Sequence, residues 1–284
     1  MTSIFLKTKF YWDKISQDDW RELHFPWRPS NQEVKNYQKY ILKYRQETGN
    51  NVLLGSTPEI REIFAKNNLS LDIVDNSLKM YKAMSNYIHA VKKEVYYSDN
   101  WMKYFVKRKE RYSMIVGDLV FRLLSNKDLK RLVKGLSFSL VDGGYLITRN
   151  HYTFLSKYDQ QLTIENINNL FYFYKNRNVS KEEIVDRLFF DLSIFFISSD
   201  NFFNLKSMRK HLQNIIRDCC SKKIIKKLNL FFDKWEGTQL NYYVRSKKFI
   251  ESIMNDSFKL IDSYRSDLFF KQSIEISVWR KIGI

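Results

Sequence analysis

From Asn51 onward, short apolar runs alternate with stretches of helical spacing: VLL, then PEIREIFAK, then LDIV, and so on as far as GGYLIT. This alternation constrains the fold more than any other feature of the chain. Strands separated by helices are joined by crossover connections, and crossovers build a parallel sheet with helices on both faces. The spacing predicts strands at Val52–Leu54, Leu71–Val74, Glu94–Tyr97, Tyr112–Val116 and Tyr145–Thr148. It predicts helices at Pro58–Lys66, Ser77–Ala90, Trp101–Lys107 and Asn126–Phe138. In such a doubly wound half-sheet, ligands are expected at the carboxyl ends of the strands.

The segments on either side follow other patterns. Residues 1–49 are rich in aromatics, including Tyr11, Trp12, Trp20 and Trp27, and SNQE after Pro29 is a capping box: Ser30 caps, and Glu33 reaches back. A helix from Asn31 to Gln46 is expected to follow. Residues 153–243 lose the alternation and are too long for a loop in a compact domain. Apolar residues there recur at helical spacing in IENINNLFYFY, KEEIVDRLFFDLSIFF and MRKHLQNIIRDCC, with Phe171, Tyr172, Phe173, Phe195 and Phe196 expected in the helical core. SKKFIESIMND then reads as a helix, and FKLIDSY and SIEISVWRKI as two final strands. The fold class is therefore α/β: a doubly wound, seven-stranded, mostly parallel sheet with a helical insertion after the fifth strand and a helical segment at the N-terminus. Its divisions are an aromatic lid segment (1–49), a ligand-binding core (50–152), the helical insertion (153–243), and a closing helix with the last strand pair (244–284).

Composition narrows the function classes. With 44% hydrophobic and 16% aromatic residues in 284, the chain buries enough apolar surface to fold. Its 48 Lys and Arg against 31 Asp and Glu give +17, which raises RNA as a partner. The basic clusters, such as KYFVKRKER and SKKIIKK, are interleaved with apolar residues, as solvated helix faces are. Cys219 and Cys220 are adjacent and match no zinc spacing. LFFDLSIFFIS is interrupted by Asp191, and MTSIFLKTKF lacks a sustained apolar run, so a cytoplasmic location without membrane association is expected.

The turn after the first strand reads GSTPEI. A dinucleotide site would need more glycines and a bare helix start, but here Glu59 occupies the first helical turn, where it would repel phosphates. No GK[ST] follows either. Thr57 as helix cap and Pro58 at the first helical position make a well-specified turn. A cationic ligand without phosphates suits it better, and S-adenosyl-L-methionine, with its sulfonium and ammonium groups, is one. Asp75, with Asn76 beside it, ends the second strand, where a carboxylate can accept from both ribose hydroxyls. Asp99 ends the third, followed by Asn100 and Trp101, where an acid meets an adenine amino group and an indole packs on the ring.

The runs VLLGSTPEIREIF, LDIVDNSLKMYKAM, YYSDNW, YSMIVGDLVFRLL and LVDGGYLITR together resemble the successive motifs of class I, seven-stranded S-adenosylmethionine-dependent methyltransferases, in particular those whose first motif reads LLGxTPE. The resemblance covers about Trp27 to Arg149, and the closing strand pair extends it to the C-terminus. It implies that Gly55 and Ser56 approach the methionine part, Asp75 the ribose, Met80 and Trp101 the adenine faces, and Asp99 with Asn100 the adenine edge, with Thr57 and Asn76 also among the cofactor-binding residues. Gly117 and Asp118 would flank the transferable methyl. Arg28, in the preceding PWRPS segment, is a candidate for the methionine carboxylate, with a surface ion pair as the alternative.

If a base is required, His151, beyond the fifth strand in the group Arg149 to Tyr152, is the side chain there with an unperturbed pKa near neutrality, with Asp118 the other candidate; the alternatives are a histidine satisfied within the fold and an Asp118 that shapes the pocket mouth. The absence of a [DN]PP[YFW] tetrad and of a cysteine at a strand end argues against adenine amino and pyrimidine C5 methylation. A small-molecule acceptor, methylated at oxygen or nitrogen, is the leading expectation. An RNA methyltransferase and a non-catalytic interaction protein that keeps the fold stand as alternatives.

Overall fold

A computed structural model describes residues 20–21, 23, 25–47, 49–107, 111–154, 164–177, 179, 181–196, 205–210, 222–236, 242–267 and 272–283. After helix α1 (Asn31–Tyr44), strands and helices alternate: β1 (Asn50–Leu54), α2 (Pro58–Lys66), β2 (Leu71–Asp75), α3 (Leu78–Ser85), β3 (Glu94–Ser98), α4 (Trp101–Lys107) and β4 (Tyr112–Asp118). A 3-10 turn (Val120–Leu123), α5 (Asn126–Ser139) and β5 (Leu140–Thr153) complete this half. Helices α6 (Ile164–Lys175), α7 (Lys181–Ser193) and α8 (Lys222–Glu236) follow, and α9 (Lys247–Met254), β6 (Phe258–Asp267) and β7 (Gln272–Lys281) close the chain.

The strands form one seven-stranded sheet in the order β3-β2-β1-β4-β5-β7-β6. β1 to β5 pair in parallel, while β7 runs antiparallel to both β5 and β6. The strand order reverses between β1 and β4, the switch point at which a crevice opens outside the strand ends. Val52, Leu53, Ile73, Val74, Met114, Ile115 and Val116 are fully buried, as expected for strands covered on both faces. One apolar layer lies between the sheet and α4, α5 and α9, and another between the sheet and α1 and α2. A third joins Trp20, Leu23, Phe25 and Trp27 to α6, α7, α8 and to Met80 and Met84 of α3.

Three expectations are corrected. The helix expected to run from Ser77 to Ala90 ends at Ser85, because the His89 and Ala90 amides donate to the Glu62 carboxylate on α2 (3.0 and 3.4 Å) and Lys92 Nζ caps the Ser85 carbonyl at 3.2 Å. The fifth strand is longer than expected, because β7 supports it as far as Thr153, well past its last pairing with β4 at Asp118 and Arg149. In the helical stretch Tyr172 is 69% exposed; Tyr174 is the buried residue, while Phe173, Phe195 and Phe196 pack against the apolar layer. Tyr11, Trp12, Cys219, Cys220 and the side chain of Phe171 lie outside the described residues. Among the described residues no helix is long and apolar enough to cross a membrane.

A buried ion pair locks the β2–β3 side of the sheet. Arg61 on α2, 1% exposed, holds Glu94 of β3 at 2.5 Å and also donates to the Tyr81 carbonyl (3.1 Å) and the Ser85 hydroxyl (2.7 Å) of α3. Removing one partner of such a pair strands the other charge in the core. Arg61→Ala is expected to cost roughly 3–5 kcal/mol, read as a lower urea midpoint in equilibrium unfolding.

Candidate functional site

A cleft opens at the carboxyl ends of β1 to β4; the empty space within it, open solvent included, is about 980 Å³. On one side it is lined by the β1 turn (Leu54, Gly55, Ser56, Thr57), by Asp75, Asn76 and Met80 after β2, and by Asp99, Asn100 and Trp101 after β3. On the other it is lined by Asp118, Leu119, Arg122 and Leu123 after β4, with Trp20, Trp27 and Tyr242. Residues from four strand ends thus share one space.

The β1 turn is shaped by backbone geometry. Gly55 has φ +91, in the left-handed region that favours glycine, and its amide donates to the Val74 carbonyl at 2.9 Å, binding the turn to β2. Thr57 sits at the cap position of α2 but makes no capping bond with its side chain. Its hydroxyl turns instead toward Asp118, 3.4 Å away, while Pro58 occupies the helix start. The expectation of a Thr57 side-chain cap is corrected accordingly.

Asp75 is 7% exposed and already oriented. It accepts from the Ser56 hydroxyl at 2.7 Å and from the Ser77 amide at 2.9 Å, and burial pushes its carboxyl up to about 6 despite these bonds. Asp99 accepts from the Asn100 amide at 2.8 Å. The Trp101 indole donates to the Val74 carbonyl at 2.8 Å, which holds its ring at the cleft wall.

Asp118 is gripped from behind. Arg149, fully buried, donates to it from Nε at 2.6 Å, to Glu33 from Nη1 at 3.0 Å and to the Trp27 carbonyl from Nη2 at 3.4 Å. Burial pushes the Asp118 carboxyl above its ordinary range while Arg149 opposes the shift.

Three expected site residues are placed elsewhere. His151 does not line the cleft: β5 has passed the tip of β4 by that residue, so His151 packs on Phe190 (ring centroids 5.2 Å apart) and bonds through Nε2 to Gln272 Oε1 at 2.7 Å. Burial, with Arg122 nearby, pushes its pKa well below the ordinary value and leaves it neutral. Arg28 is committed to Glu59, with Nη2 2.6 Å from Oε1, because the buried Glu59 carboxylate in the first turn of α2 needs a counter-charge. Gly117 lies under the wall rather than in it. A Cβ there would come within 2.9 Å of Val120 Cγ2, and its carbonyl accepts from Tyr37 at 2.9 Å.

The sequence reading missed Arg122 and Tyr242. Arg122 was visible as the single cation in the apolar run LVFRLL; Tyr242 carried no local signal.

No protein-family model matches the chain, and no curated protein matches it in sequence. Among solved structures it is similar to the N-methyltransferase NodS of Bradyrhizobium japonicum WM9 in complex with S-adenosyl-L-homocysteine, at 8% identity over 98% of each chain with a TM-score of 0.52. It is also similar to the magnesium protoporphyrin IX methyltransferase ChlM of Synechocystis PCC 6803 with bound S-adenosyl-L-homocysteine, at 10% identity over 98% of this chain and 100% of that one, TM-score 0.53. A protein described as a zinc-dependent alcohol dehydrogenase from Rhodobacter sphaeroides matches at 12% identity over 99% of this chain and 100% of that one, TM-score 0.56. The antiparallel β7 between β5 and β6 completes the seven-stranded sheet. The chain has a Rossmann-like methyltransferase fold. At these identities the likeness is one of fold, and within this methyltransferase fold the cleft lies at the switch point of the sheet.

The turn itself can be tested directly. A Cβ at Gly55 would meet nothing within 4 Å, so substitution there probes backbone conformation alone. Gly55→Ala is expected to destabilise by about 1–2 kcal/mol, seen as a lower melting temperature with unchanged secondary-structure content.

Proposed function

We propose that the protein is an S-adenosyl-L-methionine-dependent methyltransferase acting at oxygen or nitrogen of a small-molecule acceptor. One observation carries this reading: Asp75 and Asp99 end successive strands and line one cleft with Trp101 and the Gly55 turn. A ribose needs a paired acceptor, which the Asp75 carboxylate supplies and Ser56 and Ser77 keep aimed. An adenine needs a flat apolar wall and an edge acceptor, supplied by Trp101 with Met80 and by Asp99 with Asn100. Acids at three strand ends suit a cationic ligand, and Glu59 with Arg28 fills the position a phosphate would take.

When bound, this cofactor supplies an electrophilic methyl on a sulfonium. The chain's part in an in-line displacement is positional. Asp118, fixed by Arg149 and Thr57, shapes the acceptor side, and the wall of Trp20, Trp27 and Tyr242 excludes water. On this reading the Trp20–Trp27 segment and helices α6 to α8 form a cap over the cleft, and the aromatic wall fits a small acceptor better than a nucleic acid.

Calorimetric titration with S-adenosyl-L-methionine and S-adenosyl-L-homocysteine, with NAD and ATP as controls, is expected to give binding of the first pair alone. Asp75→Ala should weaken it by roughly 100-fold or more, since two hydrogen bonds to a charged acceptor are lost. Unchanged binding by that variant would sink the reading.

The affinity should also depend on pH. Asp75 in the free protein holds its proton below about 6, while ribose hydroxyls prefer the ionised acceptor, so affinity is full above that range and falls as pH drops through it. The expected slope approaches about tenfold per pH unit, and Asp75→Asn should flatten it.

A further inference from the structure

Arg122 is a buried cation that no acid among the described residues answers. It is 3% exposed, it lines the cleft, and its Nε, Nη1 and Nη2 atoms have no hydrogen-bond partner among the described residues. Among the described residues, the other arginines buried to a similar degree are answered: Arg61 by Glu94, Arg149 by Asp118 and Glu33, and Arg245 by the Phe121 and Leu124 carbonyls and Asn126. Stranding a guanidinium this way is strongly unfavourable, so folds retain such groups mainly where a ligand answers them.

The surroundings of Arg122 hold the group without satisfying it. Its Cζ lies 4.1 Å from the Phe190 ring centroid, 4.4 Å from that of Tyr242 and 5.5 Å from that of Trp27. Aromatic faces attract the cation and fix its orientation, but they accept none of its five N–H donors. The planar fork remains available for two parallel bonds to a carboxylate or phosphate. Phe190 and Tyr242 come from the chain beyond β5, and Arg122 from the turn after β4, whereas Asp75 and Asp99 lie across the cleft after β2 and β3. Among the described residues the cleft therefore has Asp75 and Asp99 on one side and one cation, Arg122, near the aromatic wall on the other.

We propose that Arg122 anchors an anionic group, carboxylate or phosphate, on the methyl acceptor; this deepens the methyltransferase reading above and rests on it. The acceptor class is an organic anion with an apolar body, seated against Trp27 and Tyr242 with its charged end on the guanidinium.

The test uses the full chain saturated with S-adenosyl-L-homocysteine, titrated with benzoate and phenyl phosphate as probes and with benzamide as the neutral isostere. The expected result is that benzoate or phenyl phosphate binds at least tenfold more tightly than benzamide. Arg122→Met should abolish that preference while leaving the S-adenosyl-L-homocysteine affinity within about twofold. Arg122→Lys, which keeps the charge but not the fork, should keep only part of the preference and covers the case in which the methionine variant fails to fold.

Equal binding of the charged and neutral probes by the unaltered protein would overturn the proposal. So would a loss of S-adenosyl-L-homocysteine affinity in Arg122→Met with 5′-methylthioadenosine affinity unchanged, since that assigns Arg122 to the cofactor's own carboxylate. Arg122-dependent benzoate binding by a protein that binds no S-adenosyl-L-homocysteine would instead sink the methyltransferase reading, leave the anion site standing, and overturn its assignment to a methyl acceptor.

Discussion

The geometry of the site rests on one shared positive charge. Arg149, buried in β5, answers two buried carboxyls at once, Asp118 at the tip of β4 and Glu33 in the first turn of α1, and reaches the Trp27 carbonyl as well. Glu33 also closes the capping box by accepting from the Ser30 amide at 2.8 Å. Capping of α1, docking of the Trp27 segment and orientation of Asp118 are therefore one interaction, and disturbing any of them disturbs the wall of the cleft. Burial pushes both the Glu33 and Asp118 carboxyls upward, and the guanidinium between them is the favourable term that holds the cluster together.

Much of the fold was legible in the sequence because it is encoded locally. The alternation of apolar runs with helical spacing specified β1 to β5 and their parallel pairing, and SNQE and TPE specified the starts of two helices. The acids after β2 and β3 were legible for the same reason, since the end of a strand is a position along the chain. What was not legible depends on partners far apart in sequence. Arg149 and Glu33 are separated by 116 positions, and no local pattern signals their contact. His151 was misplaced because the support that carries β5 past the tip of β4 comes from β7, at the far end of the chain. That extension turns His151 toward Gln272 and away from the cleft.

The single-glycine turn also makes physical sense in context. A glycine-rich turn serves close approach to a pyrophosphate, but here the start of α2 is already occupied by Glu59, with Arg28 and the Trp20 indole answering its carboxylate at 2.6 and 3.3 Å. Gly55 is kept where the backbone needs a positive φ, and the remaining positions are free to be Ser56 and Thr57, which brace Asp75 and Asp118. A turn specialised against phosphate can give up glycines that a turn specialised for it must keep.

The helical stretch between β5 and α9 leaves and rejoins the core at almost the same place. The Thr153 amide donates to the Arg245 carbonyl at 3.1 Å, Tyr152 and Arg245 form a parallel bridge, and the Tyr243 amide donates to the Arg122 carbonyl at 2.8 Å. Joining two points already held side by side costs little more for a long connection than for a short one. The stretch can thus change in length at little cost in closure entropy. Evolution could rework one wall of the cleft while the acidic wall opposite stays as it is, and an engineer could graft a different stretch across the same pair of stems.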